Sequence, residues 1–137
     1  MFFKTLLLVD DDPDDRLLFS EVIQEIDEDI KIAFATNGAE ALQMLQDTNT
    51  LMPEIIFLDL NMPKMNGKQC LKQLKKNPLL SSIPVIIYST STATEDIDDS
   101  MNLGADYFLV KPITMKELKT ELLYVLTENW TKQGATK

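Results

Sequence analysis

The chain has no histidine, one cysteine and four glycines among its 137 residues. Without histidine, and with a lone thiol at Cys70, a metal site would have to be built from oxygen ligands, which suits a hard cation. One cysteine also excludes an internal disulfide. No apolar run approaches the ~20 residues that span a bilayer. The opening stretch MFFKTLLLVD turns acidic too early for a secretory signal. Basic residues are few: 13 Lys and Arg stand against 22 Asp and Glu, a net charge of −9. Such a surface is poorly suited to phosphate backbones or anionic lipid, so direct nucleic-acid and membrane binding are not expected. The patterns G-x-G-x-x-G and G-x-x-x-x-G-K-[ST] are missing, which argues against a dinucleotide-binding domain or a P-loop. No internal repeat, low-complexity tract or linker divides the chain, and its length fits one domain. The cytoplasm is the expected compartment.

What is present is a regular alternation. Three short runs, LLLV at Leu6–Val9, IIFL at Ile55–Leu58 and VIIY at Val85–Tyr88, are of strand length and apolar on both faces. Central strands of a covered parallel sheet look like this. IKIAFA at Ile30–Ala35 and YFLV at Tyr107–Val110 are weaker strand candidates. Helical spacing fills the intervals: Leu18, Val22 and Ile26; Leu42 and Leu45; Cys70 and Leu74; Ile97 and Met101; Leu118, Leu122 and Val125. Strand and helix thus alternate five times, the pattern of a (βα)5 α/β chain with a doubly wound parallel sheet.

In open α/β sheets ligands bind beyond the carboxyl ends of the strands. Asp10 and Asp11 follow the first run, Asp59 the third, Ser89 and Thr90 the fourth, and Lys111 with Pro112 the fifth. Three carboxylates, a hydroxyl and a lysine therefore converge on one sheet edge. Three acids in one place need a compensating cation, and with oxygen ligands the fitting ion is Mg²⁺, with Mn²⁺ as a substitute. A cation beside a free carboxylate and a lysine is a layout for phosphoryl transfer.

The pieces LLVDDDP, FLDLNMPKMNG, VIIYST and GADYFLVKP, in this order and at these spacings, resemble the receiver domain of two-component response regulators from about Leu6 to Leu126. The resemblance implies a flavodoxin-like sheet of order 2-1-3-4-5, a receiver over residues 1–128 and a short tail over 129–137. It implies that Asp59 accepts a phosphoryl group from a sensor histidine kinase or a histidine phosphotransfer protein. Asp11 would ligate Mg²⁺ directly, Asp10 mainly through water, and Asn61 through its backbone carbonyl. Ser89 and Lys111 would complete the catalytic set, with Phe108 as the aromatic switch where many relatives carry tyrosine. The Lys111–Pro112 peptide is expected to be cis. The resemblance also implies that Asn61 and Ser91 would occupy the positions that tune phosphate lifetime. The implied protein is a stand-alone receiver that signals to a downstream protein through the face formed by the fourth helix, fifth strand and fifth helix. A homodimer is left open.

Rival readings are weaker. An aspartyl-phosphate phosphohydrolase would want a second acid two residues after the nucleophile, where Asn61 stands, and would carry its nucleophile on the first strand. DDDPDDRLLFSE imitates a calcium loop, but its sixth position needs glycine and holds Asp15. Asp12 is better read as a helix N-cap, Pro13 as the first helical residue, and Asp14 and Asp15 as acids in the positive first turn. Cys70 reads as core filler. Gly67 is expected to supply a positive-φ turn residue and Gly104 to end the fourth helix. Trp130 is either a cover for the core end or a partner contact. KQCLKQLKK reads as a solvated basic face first and a kinase-docking face second.

Overall fold

The computed structural model describes residues 3–47, 52–128 and 130. Ten elements alternate: β1 (Thr5–Val9), α1 (Pro13–Ile26), β2 (Lys31–Ala35), α2 (Gly38–Gln46), β3 (Ile55–Leu58), α3 (Gly67–Lys76), β4 (Val85–Ser89), α4 (Thr94–Asn102), β5 (Tyr107–Val110) and α5 (Met115–Thr127). The five strands pair in parallel in the order β2-β1-β3-β4-β5. This is the expected flavodoxin-like arrangement. No helix among the described residues is long and apolar enough to cross a membrane.

The period of two along each strand sorts side chains into two cores. Leu6, Leu8, Ile55, Phe57, Ile86, Tyr88 and Leu109 face one side, where α1 and α5 cover them. Leu7, Val9, Ile56, Leu58, Val85 and Ile87 face the other, against α2, α3 and the Leu103–Ala105 turn after α4. The same alternation puts Phe108 on the second face, beside Ile87 in the β4–β5 register.

Most helix starts are fastened by side chains. Asp12 accepts from the Asp14 and Asp15 N–H groups, with Pro13 opening α1. Asn37 caps α2 through the Glu40 N–H. Asn66 and Gln69 form a reciprocal capping box on α3, and Thr114 caps α5. α4 begins at Ala93 with no side-chain cap. It ends in a Schellman turn: Gly104 (φ 107°) donates to Met101 O, and Ala105 to Ser100 O.

Four expectations need correction. The Lys111–Pro112 peptide is trans, since no described peptide bond is cis; trans is the intrinsically favoured isomer, and with it Lys111 already reaches its carboxylates. Gly67 has no positive φ; Lys64 (φ 63°) takes the left-handed place in that loop. Gly67 is needed for proximity, because a Cβ there would lie 2.1 Å from Asp59 O. The inward stripe of α1 is Phe19, Val22 and Ile23, with Leu18 and Ile26 at its margins. On α4, Met101 is exposed and Ile97 half-buried, while the inward residue is Ser100, whose hydroxyl donates to Asp96 O at 2.7 Å.

The ambiguity over Trp130 resolves. Trp130 is buried, its indole N–H donates to Val125 O at 2.9 Å, and its ring packs on Tyr107 and Tyr124. It covers the core end beside β5. The rest of the expected tail lies outside the described residues. The basic face of α3 is divided: Lys72 and Lys76 are exposed, whereas Lys68 and Lys75 are fastened to acids and carbonyls across the next loop.

Candidate functional site

Asp10, Asp59 and Lys111 each lie one residue past a strand end, and each backbone N–H still bonds a neighbouring strand. Asp10 donates to Ala35 O, Asp59 to Val9 O and Lys111 to Ser89 O, at 2.9, 3.0 and 2.8 Å. The sheet thereby fixes the backbone of all three at its carboxyl edge. Behind Asp59, the bare Cα of Gly67 lets α3 start directly against the loop after β3, and its N–H donates to Leu60 O.

The carboxylates of Asp10, Asp11 and Asp59 offer ligand atoms that all lie within 4.8 Å of one another. Asp10 is fully buried, Asp59 nearly so, and Asp11 exposed. Burial raises the Asp10 carboxyl above its ordinary value, against the pull of Lys111 and the Asp12 N–H. Asp10 Oδ1 accepts that N–H at 2.9 Å, and its backbone oxygen accepts from Arg16 Nη1 at 2.7 Å. Asp59 Oδ1 accepts from the Asn61 N–H at 3.4 Å. Buried acids that crowd together with no nitrogen or sulfur ligand fit a hard divalent cation.

Lys111 supplies the positive charge. Its ammonium meets Asp15 Oδ2 at 2.8 Å, Asp10 Oδ2 at 2.9 Å and Asp59 Oδ2 at 3.1 Å, and lies 5.1 Å from the Tyr88 ring centroid. Burial alone would lower its proton affinity; Asp15, Asp10 and Asp59 more than reverse this, and the lysine is held firmly protonated. Tyr88, enclosed in the first core, has its phenol pushed well above the ordinary range by burial.

Of the residues singled out from sequence, Asp10, Asp11, Asp59 and Lys111 form one pocket, with Asn61 at its rim. Ser89 is the last residue of β4 and is fully buried; its hydroxyl accepts from the Ser91 N–H at 3.2 Å. Phe108 is half-buried on the α3–α4 side of the sheet, packed at the edge of the second core. From Ser91 a chain of contacts leads outward: its hydroxyl donates to Asp96 Oδ2 at 2.5 Å, and Lys68 bridges Asp96 and Asp99 at 2.8 and 3.0 Å. Sequence reasoning missed three neighbours of the pocket, Asp15, Arg16 and Tyr88. Asp15 could have been found, because it precedes Phe19 by four residues and so shares its helical stripe.

A doubly wound parallel sheet with an acidic cluster and a lysine at its carboxyl edge defines a flavodoxin-like α/β module with its candidate site where such folds bind ligands. Residues 6–123 match the response regulator receiver domain, and the chain belongs to that family. The response regulator Rcp1 of Synechocystis sp. is 34% identical over 119 residues, covering 84% of this chain and 81% of Rcp1. Among solved structures, the phosphorylated cyanobacterial phytochrome response regulator RcpA superposes with a TM-score of 0.83 at 29% identity, over 90% of this chain and 91% of RcpA. The Mn²⁺-bound form of Rcp1 gives 0.81 at 32% identity, over 89% and 91%. Divalent-metal binding by the Asp10, Asp11 and Asp59 pocket agrees with that family.

Proposed function

We propose that this protein is a response regulator receiver whose Asp59 takes a phosphoryl group from a sensor histidine kinase or a histidine phosphotransfer protein. The observation that carries the reading is the meeting of Asp59 with Asp10, Asp11 and Lys111 at the carboxyl edge of the sheet. Asp59 Oδ attacks the donor phosphorus in line as the donor's P–N bond breaks, and the departing imidazole keeps that electron pair. Lys111 pairs with the phosphoryl oxygens, and the buried Ser89 hydroxyl approaches them from β4. Asp10, Asp11, Asp59 and the Asn61 backbone carbonyl would hold Mg²⁺, with Mn²⁺ as a substitute. When bound, that ion offsets the crowded negative charge and polarises the phosphoryl group.

The output runs through packing. Ser89 and Phe108 lie on adjacent strands and on the same sheet face, because Ile87 pairs with Phe108 and Ser89 with Val110. Movement of the β4 end toward the phosphoryl group opens room for Phe108 to turn inward. The surface of α4, β5 and α5 then changes shape, a shift between two packings that a downstream protein reads. The cytoplasm is the proposed compartment and protein contact the proposed output.

The test is labelling by radioactive acetyl phosphate in Mg²⁺. Wild type should take up label that is lost in alkali, whereas Asp59→Asn should take up none and unfold in urea as wild type does. Undiminished labelling of Asp59→Asn, or full labelling in excess chelator, would refute the assignment.

A further inference from the structure

An ammonium has three N–H donors, and each one on Lys111 has a carboxylate within reach: Asp15, Asp10 and Asp59. Only 8% of the lysine side chain is exposed, so water does not substitute freely for these partners. Two of the three, Asp10 and Asp59, also belong to the cluster that can hold a cation; Asp15 stands outside it. That division matters for the reaction in the preceding section. A bound cation draws on the charge of Asp10, and the carboxylate of Asp59 is consumed in the acyl phosphate. Lys111 would then lose two anionic partners as its position becomes important. Asp15 keeps its charge throughout. Its backbone is set in the first turn of α1, where its N–H bonds the capping carboxylate of Asp12 at 3.4 Å. Asp14 occupies the same turn and makes no ion pair among the described residues.

We propose that Asp15 is a positioning residue for Lys111. It anchors the ammonium from outside the metal cluster, so that one N–H stays on Asp15 while the others turn to the phosphoryl oxygens. The floor of this arrangement is the Tyr88 ring beneath the ammonium. The role is aim more than stability, since the Asp15 side chain is 32% exposed and such a pair contributes little to folding.

This inference rests on the phosphoacceptor reading, and the experiment separates the two. With ¹⁵N-lysine protein in saturating Mg²⁺, the Lys111 ammonium should give a slowly exchanging signal in wild type and in Asp14→Asn. It should broaden away in Asp15→Asn. In acetyl phosphate assays Asp15→Asn should phosphorylate about tenfold more slowly at saturating Mg²⁺, the scale expected when a reacting group is slightly misaimed. Asp15→Glu should recover part of the loss. In a Lys111→Ala background, Asp15→Asn should have no further effect. Independent, multiplying effects of the two substitutions would overturn the proposal, as would an equal loss in Asp14→Asn or an ammonium signal indifferent to Asp15. A wild type that takes up no phosphate would refute the phosphoacceptor reading instead, and the ammonium signal would still decide the part played by Asp15.

Discussion

Asp11 and Asp12 are adjacent and do different work. Asp11 contributes an exposed carboxylate to the three-acid cluster, whereas Asp12 spends its carboxylate on the first N–H groups of α1. Asp11→Ala should lose most of the Mg²⁺ affinity in calorimetry, with urea stability in chelator level or higher because acid repulsion is relieved. Asp12→Ala should keep the metal and lose on the order of 1 kcal/mol of stability with its cap. Equal loss of metal by both would show a single binding loop. Asp10 carries a pH signature. Its folded carboxyl lies above the ordinary aspartate value, chiefly through burial. The folded state therefore holds that proton more tightly than the unfolded chain. The associated stability is full below the unfolded value and lost as pH rises through the folded one. In chelator, Asp10→Asn should be more stable than wild type at pH 7, and urea curves taken at falling pH should show the gap closing. At this scale the sequence was legible wherever one residue type had one use. Asp10, Asp11, Asp59 and Lys111 follow strand ends and meet. Asp15 was read only as an acid in the positive first turn of α1, although it stands four residues before Phe19 and seven before Val22, both on the inward stripe.

α4 is the element most loosely joined to the fold. It lacks a side-chain cap, and its inward residue is the small Ser100. Lys68 on α3 ties it down through Asp96 and Asp99, and Asp96 in turn holds Ser91, two residues past Ser89. This tie spans the loop that the proposed approach of Ser89 to a phosphoryl group would move. Lys68→Ala should change global stability little, as expected for partly exposed pairs. Hydrogen exchange should nevertheless accelerate in residues 94–102 while β3 and β4 stay protected. Uniform acceleration across the sheet would show that the tie has no local role. Strand boundaries were readable to within a residue because both faces of β1, β3 and β4 are buried, leaving apolar runs with sharp ends. Helix faces were less readable. On α4 an apolar i,i+4 pair misled, since Met101 is exposed and Ile97 only half-buried, and the hydroxyl of Ser100 disguised the residue that packs. The purpose of Gly67 was also concealed, since a close approach to the Asp59 carbonyl has no local sequence signal.

Across the whole molecule, two apolar layers on a twisted sheet carry the stability, and the layer under α1 and α5 is closed at one end by Trp130. Trp130→Ala removes a buried ring and its hydrogen bond to Val125, and should cost about 3 kcal/mol in urea unfolding, the low end for large-to-small aromatic changes. Acetyl phosphate labelling at Asp59 should persist wherever the variant stays folded. A loss below about 1 kcal/mol would mean that the indole covers little that matters. The second layer holds the molecule's one thiol. Cys70 is fully enclosed between α3 and the start of α2, with burial pushing it up to about 12, so almost no thiolate forms near neutral pH. The native chain is therefore close to silent toward maleimides and other thiol reagents while it remains folded. A cysteine placed at an exposed position such as Met101 on α4 or Leu123 on α5 would take a spin label or a dye with little background, and the native cysteine could stay in the core. Distances between two such labels, read before and after phosphorylation, would measure how far each helix travels.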